Sequence, residues 1–191
     1  MIIVQQHFLS QTLSKYLLVI SLIITALCAS PAHAASKVEI NAYVSEALNK
    51  FYKDSPAGKS LAARAKGMLV FPKVYKAGIG IGGEYGEGAL RIGGANVAYY
   101  STASASIGFQ LGAQRKAQII LFMTNDALKK FRNSEGWEAG VDGSVAIATF
   151  GAGGDIDTKT AQQPIIGFIF SNEGLMFNLN LEGSKITRLY R

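Results

Sequence analysis

Apolar positions follow a helical period in residues 36–53. Side chains at three- and four-residue spacing form one stripe of an amphipathic helix, and they are Ile40, Tyr43, Val44, Ala47, Leu48 and Phe51. Ser55 and Pro56 are residue types that begin helices, as N-cap and first helical residue, and they predict a second short helix through Leu61 and Ala65. We therefore expect two helices at the front of the folded domain.

From Gly67 onward the pattern changes to short apolar runs separated by glycine. Twenty of the 21 glycines lie between Gly67 and Gly183, a density that a helical bundle could not accommodate. The runs predict strands at Met68–Phe71, Ala77–Ile81, Ala89–Ile92, Val97–Thr102, Ile107–Leu111, Gln118–Met123, Ser144–Phe150, Ile165–Phe170, Leu175–Leu181 and Lys185–Tyr190. One helix, at Asp126–Arg132, interrupts them.

These patterns predict an α+β fold class. N-terminal helices should be followed by a Gly-rich, mostly antiparallel sheet, strongly curved or barrel-like, with the one inserted helix. About 157 residues are enough for a single core.

The first thirty-four residues have the features of a cleavable export signal. Lys15 precedes an apolar stretch from Tyr16 to Ala29, and Ala32-His33-Ala34 is the small-x-small pattern cut by signal peptidase. The apolar stretch is shorter than the roughly twenty residues of a spanning helix, although a retained anchor is the alternative. We expect residues 1–34 to be removed and residues 35–191 to form one domain. That domain would be periplasmic or secreted, or peripheral on an envelope membrane.

Cleavage after Ala34 would change the available chemistry. It would remove His7, Cys28 and His33, which are all the imidazoles and thiols of the chain. Nucleophilic catalysis by Ser-His-Asp or Cys-His needs an imidazole, and zinc sites need Cys or His in nearly every case. We expect no enzymatic activity, no cofactor and no metal. The remaining charge, 18 basic minus 13 acidic residues or +5, favours an anionic partner.

Three motifs have structural interpretations that we favour over chemical ones. Residues 78–83 have the spacing G-x-G-x-x-G, but no helix opens after them, so these glycines should serve strand geometry. Glu84 and Glu87 are interpreted as surface carboxylates and not as an acid–base pair. Turn formation is the favoured role, over a hard-cation site, for Asp142, Asp155 and Asp157.

Basic residues are clustered along the chain. No acid lies between Asp54 and Glu84, a segment that contains Lys59, Arg64, Lys66, Lys73 and Lys76. Arg115 and Lys116 form a second cluster, and a third follows Glu182, with Lys185, Arg188 and Arg191. Such clusters either solvate a face or bind anionic head groups, where each cation contributes about 1 kcal/mol near a charged bilayer.

Five blocks of sequence carry a family resemblance. They are AKGMLVFPKVYKAGIGIGGEYGEGAL (65–90), YYS (99–101), GFQLGAQRKAQIILFMT (108–124), GWEAGVDGSVA (136–146) and GLMFNLNLEGSKIT (174–187). In this order they closely resemble the SYLF domain, a lipid-binding domain also linked to actin-patch proteins of fungi. The resemblance extends from about residue 40 to the C-terminus.

The resemblance implies binding of membrane phospholipid, phosphoinositides in eukaryotic members, without enzymatic activity. It also implies that an amphipathic helix contacts the bilayer, which by position falls on Ile40, Tyr43, Val44, Leu48 and Phe51. Together with the charge pattern, it places lipid binding on Arg64, Lys66, Lys73, Lys76, Lys185 and Arg188.

Export changes the expected partners. We expect anionic phospholipid or a membrane surface, no nucleic acid, and no actin, because actin and phosphoinositides are normally missing outside the cytoplasm. A protein partner stays open. The alternative function is an envelope structural or protein-interaction module without lipid binding, which could use exposed strand edges.

Overall fold

The structure is a computed structural model that describes residues 35–148, 156–171, 174–175 and 181–191. Ala35–Arg191 forms one compact unit. The predicted export signal, Asp155 and most of the predicted strand Leu175–Leu181 lie outside the described residues. Among those residues, no helix is both long and apolar enough to cross a bilayer.

The described residues form four helices and seven strands. Helices α1 (Lys37–Asp54) and α2 (Pro56–Arg64) come first, and α3 (Asn125–Asn133) and α4 (Thr158–Ala161) follow later. The strands are β1 (Gly67–Ile92), β2 (Ala95–Phe122), β3 (Gly136–Glu138), β4 (Ala146–Ile147), β5 (Ile165–Ser171), β6 (Gly174–Leu175) and β7 (Lys185–Leu189). The predicted α+β class with a strongly curved, mostly antiparallel sheet is confirmed.

Local signals set the ends of the helices. The hydroxyl of Ser36 accepts a hydrogen bond from the Glu39 amide, and the Glu39 carboxylate accepts one from the Ser36 amide, which completes a capping box for α1. In α2 and α3 the N-cap hydroxyl alone accepts the hydrogen bond: Ser55 accepts from the Gly58 amide and Thr124 from the Ala127 amide. These short-range devices explain why all three helices could be predicted from the sequence.

A single long hairpin dominates the sheet. β1 pairs with β2 along almost its whole length, and the two strands are joined at Gly93 and Gly94, whose φ values of 58° and 85° favour glycine. Six of the ten predicted strands therefore merge into two. The prediction divided them at glycines, but the glycines of residues 78–88 lie within a continuous strand.

The hairpin bends back on itself, so the second half of β1 lies against its first half. A Cβ on Gly86 would lie 2.7 Å from the Lys73 carbonyl oxygen, and one on Gly88 would overlap the Val70 carbonyl oxygen. A register shift between Gly78 and Gly80 marks the bend. Beyond the hairpin, the sheet order is β3-β7-β2-β5-β4, and among the described strand pairs only β4–β5 is parallel.

Two apolar cores, named here the outer core and the inner core, lie on opposite faces of the strands that include the first half of β1. Alternate residues of β2 divide between them: Ile119 and Leu121 belong to the outer core, and Ile120 and Phe122 to the inner one. Helix α1 covers the outer core. The inner core contains Phe131 of α3, whose ring centroid lies 4.7 Å from that of Phe122 and 5.8 Å from that of Trp137.

Candidate functional site

A basic groove lies between α1 and the β1–β2 hairpin. Its volume is about 190 Å³, and basic residues line it from three elements: Lys50 of α1, Lys73 of β1, and Arg115 with Lys116 of β2. The described lining contains one acid, Glu46. The local charge is therefore positive, as an anionic ligand requires.

Two of these cations are held by α1. The Lys73 ammonium lies 3.0 Å from the centroid of the Tyr43 ring, a cation–π contact. The Lys50 ammonium pairs with Asp54 at 2.6 Å, one turn further along the helix. Arg115 is exposed beside Tyr75, its cross-strand neighbour, whose side chain is 54% exposed. Within the described part of the chain, no carboxylate pairs with Lys73 or Arg115.

The adjacent residues of the same strands point to the opposite face. Lys116 lies on the face of β2 opposite to Arg115, which is the same face as that of Ile120 in the inner core. Its ammonium lies 2.7 Å from a carboxylate oxygen of Glu84, and the two side chains are only 8% and 11% exposed. Lys76 lies 3.7 Å from the same carboxylate. The inner face therefore holds an ion cluster of Glu84, Lys116 and Lys76, distinct from the groove.

The predicted lipid-binding residues do not all come together. Lys73 lines the groove, whereas Lys76 belongs to the inner ion cluster. Arg64 and Lys66 are exposed near the start of β1, and seven residues of strand separate Lys66 from Lys73 by about 23 Å. Lys185 and Arg188 are exposed on β7, which pairs with the first half of β2. The sequence grouped these residues by charge, but the fold distributes them over four regions.

The predicted membrane-contact face of α1 is packed against the sheet. Ile40, Val44, Leu48 and Phe51 are between 0% and 5% exposed, while Tyr43 is partly exposed under Lys73. Phe51 packs edge-to-face on Phe168 of β5 at a centroid distance of 4.8 Å. These side chains are unavailable to a bilayer while α1 is docked, and bilayer contact by this face stays a prediction.

The interpretation of Glu84 and Glu87 as surface carboxylates is wrong. Both side chains are 11% exposed. Glu87 accepts hydrogen bonds from the Ala35 amide at 3.2 Å and the Tyr85 hydroxyl at 2.9 Å, and it pairs with Arg191 at 2.5 Å. Burial, and then the hydrogen bond to Glu87, raise the pKa of Tyr85. Single-sequence reasoning missed both glutamates because their partners are distant in the chain.

The other candidate sites have structural roles. Residues 78–83 lie within β1, so the G-x-G-x-x-G spacing does not begin a helix. Asp142 accepts a hydrogen bond from the Glu138 amide within a turn. Asp157 caps α4, and the hydrogen bonds from Thr160 hold its pKa below the ordinary value. Across the described ranges, no three His, Cys, Asp or Glu side chains form a group that could hold a metal ion.

Comparison with known families adds to this geometry. Residues 103–189, from within β2 to the end of β7, match the family model of Ysc84, described as Las17-binding protein actin regulator. The chain is consistent with a SYLF-domain family member. The predicted resemblance is therefore confirmed. No curated protein matches the chain.

The SYLF family is a family of binding domains, linked to lipid and actin-patch binding. The matched residues include Arg115 of the groove, whereas Lys50 and Lys73 precede them. The groove is thus formed where the matched part of the hairpin meets β1 and α1.

Proposed function

We propose that this protein binds anionic phospholipid without catalysing a reaction, and that the phosphate head group occupies the basic groove. The observation that carries the proposal is the convergence of Lys50, Lys73 and Arg115 from three elements on one groove. Guanidinium groups bind phosphate oxygens in pairs, and ammonium groups add point charge. The link of the family to lipid binding supports the same ligand class.

The surroundings of the groove suit a membrane surface better than a small soluble anion. Tyr75, directly opposite Arg115 in the β1–β2 ladder, exposes an aromatic ring with a polar tip. Such rings are favoured at the boundary between head groups and acyl chains. The protein would act as an exported form, in the periplasm or outside the cell, at the surface of an envelope membrane.

Charge removal at the groove tests this proposal. We expect residues 35–191 to co-float with phosphatidylglycerol vesicles and not with phosphatidylcholine vesicles, with weaker binding as salt is raised. The double substitution Lys73→Gln/Arg115→Gln should weaken binding by about 20- to 30-fold, because each cation contributes about 1 kcal/mol at a charged surface. Vesicle titration at fixed salt measures the change.

Arg64→Gln/Lys66→Gln is the matched control. It removes the same charge from exposed positions that do not line the groove, with Lys66 about 23 Å along the strand from Lys73, and it should weaken binding about twofold or less. An equal loss in both variants would indicate binding by net charge and not by the groove. Failure to co-float even at low salt would refute lipid binding and leave a protein-interaction module as the function. Displacement by millimolar glycerol phosphate would indicate a soluble phosphate ligand.

A further inference from the structure

Glu87 lies at a junction between the two ends of the compact unit. Its Oε2 atom accepts a hydrogen bond from the backbone N–H of Ala35 at 3.2 Å, and its Oε1 atom accepts one from the Arg191 guanidinium. The same guanidinium donates a hydrogen bond to the Ala35 carbonyl. The side chain of Glu87 is 11% exposed, and Gly86 and Gly88, packed against the first half of β1, hold it in place.

The atom that Glu87 contacts is the one that cleavage after Ala34 would change. In the uncleaved chain, Ala35 N is an uncharged amide with one hydrogen. In a chain that begins at Ala35 it is an α-ammonium group with three hydrogens and a full positive charge. The hydrogen bond from the Ala35 amide already has an ionised acceptor, and cleavage would add a full charge on the donor, so that the contact becomes an ion pair.

A charge at this point needs a counter-ion. Ala35 immediately precedes Ser36, the N-cap of α1, and the partial positive charge at a helix N-terminus repels a cation. Glu39 in the first turn binds the Ser36 amide at 2.8 Å, so a second carboxylate is required for the new charge. Glu87 lies against the Ala35 nitrogen itself and against the Arg191 guanidinium, so its carboxylate is placed to receive the new charge.

We propose that Glu87 is a binding site for the α-ammonium group of Ala35 and that processing after Ala34 fastens α1 to the sheet through this ion pair. The proposal rests on the predicted cleavage position and is independent of lipid binding. In the uncleaved chain Glu87 accepts a hydrogen bond from the uncharged Ala35 amide, whereas in the processed protein it would bind a full positive charge at the same nitrogen.

The test compares two chains that differ by one residue. Residues 34–191 retain the amide at Ala35 and carry the ammonium group one residue further away, whereas residues 35–191 place it beside Glu87. We expect the Tm of 35–191 at pH 7 to be higher by roughly 2–4 °C, the effect of one ion pair of this strength in a domain of this size. The difference should vanish in Glu87→Gln and persist in Glu135→Gln, which removes an exposed carboxylate elsewhere.

The dependence on pH provides a second measurement that needs no substitution. Pairing with Glu87 would raise the pKa of the α-ammonium group above its unfolded value of about 8. The added stability would therefore be complete below pH 8 and lost as pH rises through the folded pKa. Equal Tm values for the two chains at pH 7, or a difference that is unchanged at pH 10 or in Glu87→Gln, would overturn the proposal.

Discussion

At the scale of single residues, the chemistry of this domain depends on which face of a strand a side chain occupies. Lys116 and Arg115 are consecutive and were grouped together by charge, yet Arg115 is exposed beside the groove and Lys116 is 8% exposed against Glu84. Alternation along β2 separates them. Two consecutive basic residues of a strand therefore supply only one side chain to each surface.

The Glu84–Lys116 pair should be necessary for stability because neither charge is well solvated. Glu84→Gln would leave the Lys116 ammonium buried with no carboxylate at 2.7 Å, and we expect a loss of about 3 kcal/mol in the free energy of unfolding. Urea denaturation measures it.

Adding Lys116→Met should recover much of that loss, because the uncompensated charge disappears. Lys76→Met is the comparison, since Lys76 lies 3.7 Å from Glu84 and is 29% exposed; it should change stability by less than about 1 kcal/mol. A double variant as unstable as the sum of its parts would contradict the pairing.

At the scale of elements, the helices could be predicted and the strands only in part. A capping box and an apolar stripe are local signals, so α1 was expected within one residue of its observed bounds. The length of β1 was not expected, because glycine usually weakens a strand interior. Gly86 and Gly88, in the second half of β1, are required because they pack against Lys73 and Val70 in the first half. These contacts join residues 13 and 18 positions apart, so no local pattern in the sequence contains them.

Gly88 should be the most sensitive of these glycines. Gly88→Ala would place a methyl group against the Val70 carbonyl and 2.7 Å from the Phe71 ring, contacts that neither backbone can relieve easily. We expect a loss of about 3 kcal/mol in the free energy of unfolding. Gly83→Ala, in the same strand, has its nearest atom at 3.7 Å and should change stability by less than about 0.5 kcal/mol. Thermal or urea unfolding of both variants decides, and similar losses would contradict the bent hairpin.

At the scale of the whole molecule, the candidate site required the fold. Lys73 was predicted, and Arg115 was noticed as part of a basic pair, but their meeting with Lys50 depends on α1 crossing the hairpin. Asn41 of α1 fixes that crossing through hydrogen bonds from Asn96 at 2.7 Å and Tyr99 at 3.0 Å. These contacts join residues 55 and 58 positions apart. The sequence alone therefore predicts the class of ligand, whereas the location of the binding site depends on the fold.

The docking of α1 also determines how the domain would meet a membrane. Ile40, Val44, Leu48 and Phe51 are almost fully buried, and exposing each would cost about 1.5–3 kcal/mol. Their sum, about 6–12 kcal/mol, equals most of the stability of an ordinary domain. Insertion into the bilayer would bury the stripe of α1 again but would leave Ile119, Leu121 and Phe168 of the outer core uncovered, whereas binding at the groove leaves that core intact.

We therefore expect α1 to remain on the sheet when the domain binds vesicles. Hydrogen exchange should show the amides of Ile119, Leu121 and Phe168, which lie in the strands beneath α1, equally protected in the free and vesicle-bound protein. Faster exchange at these amides on binding, with the β7 amides unchanged as an internal reference, would mean that the helix leaves the sheet. The apolar stripe predicted to contact the membrane would then do so, at the expense of the outer core.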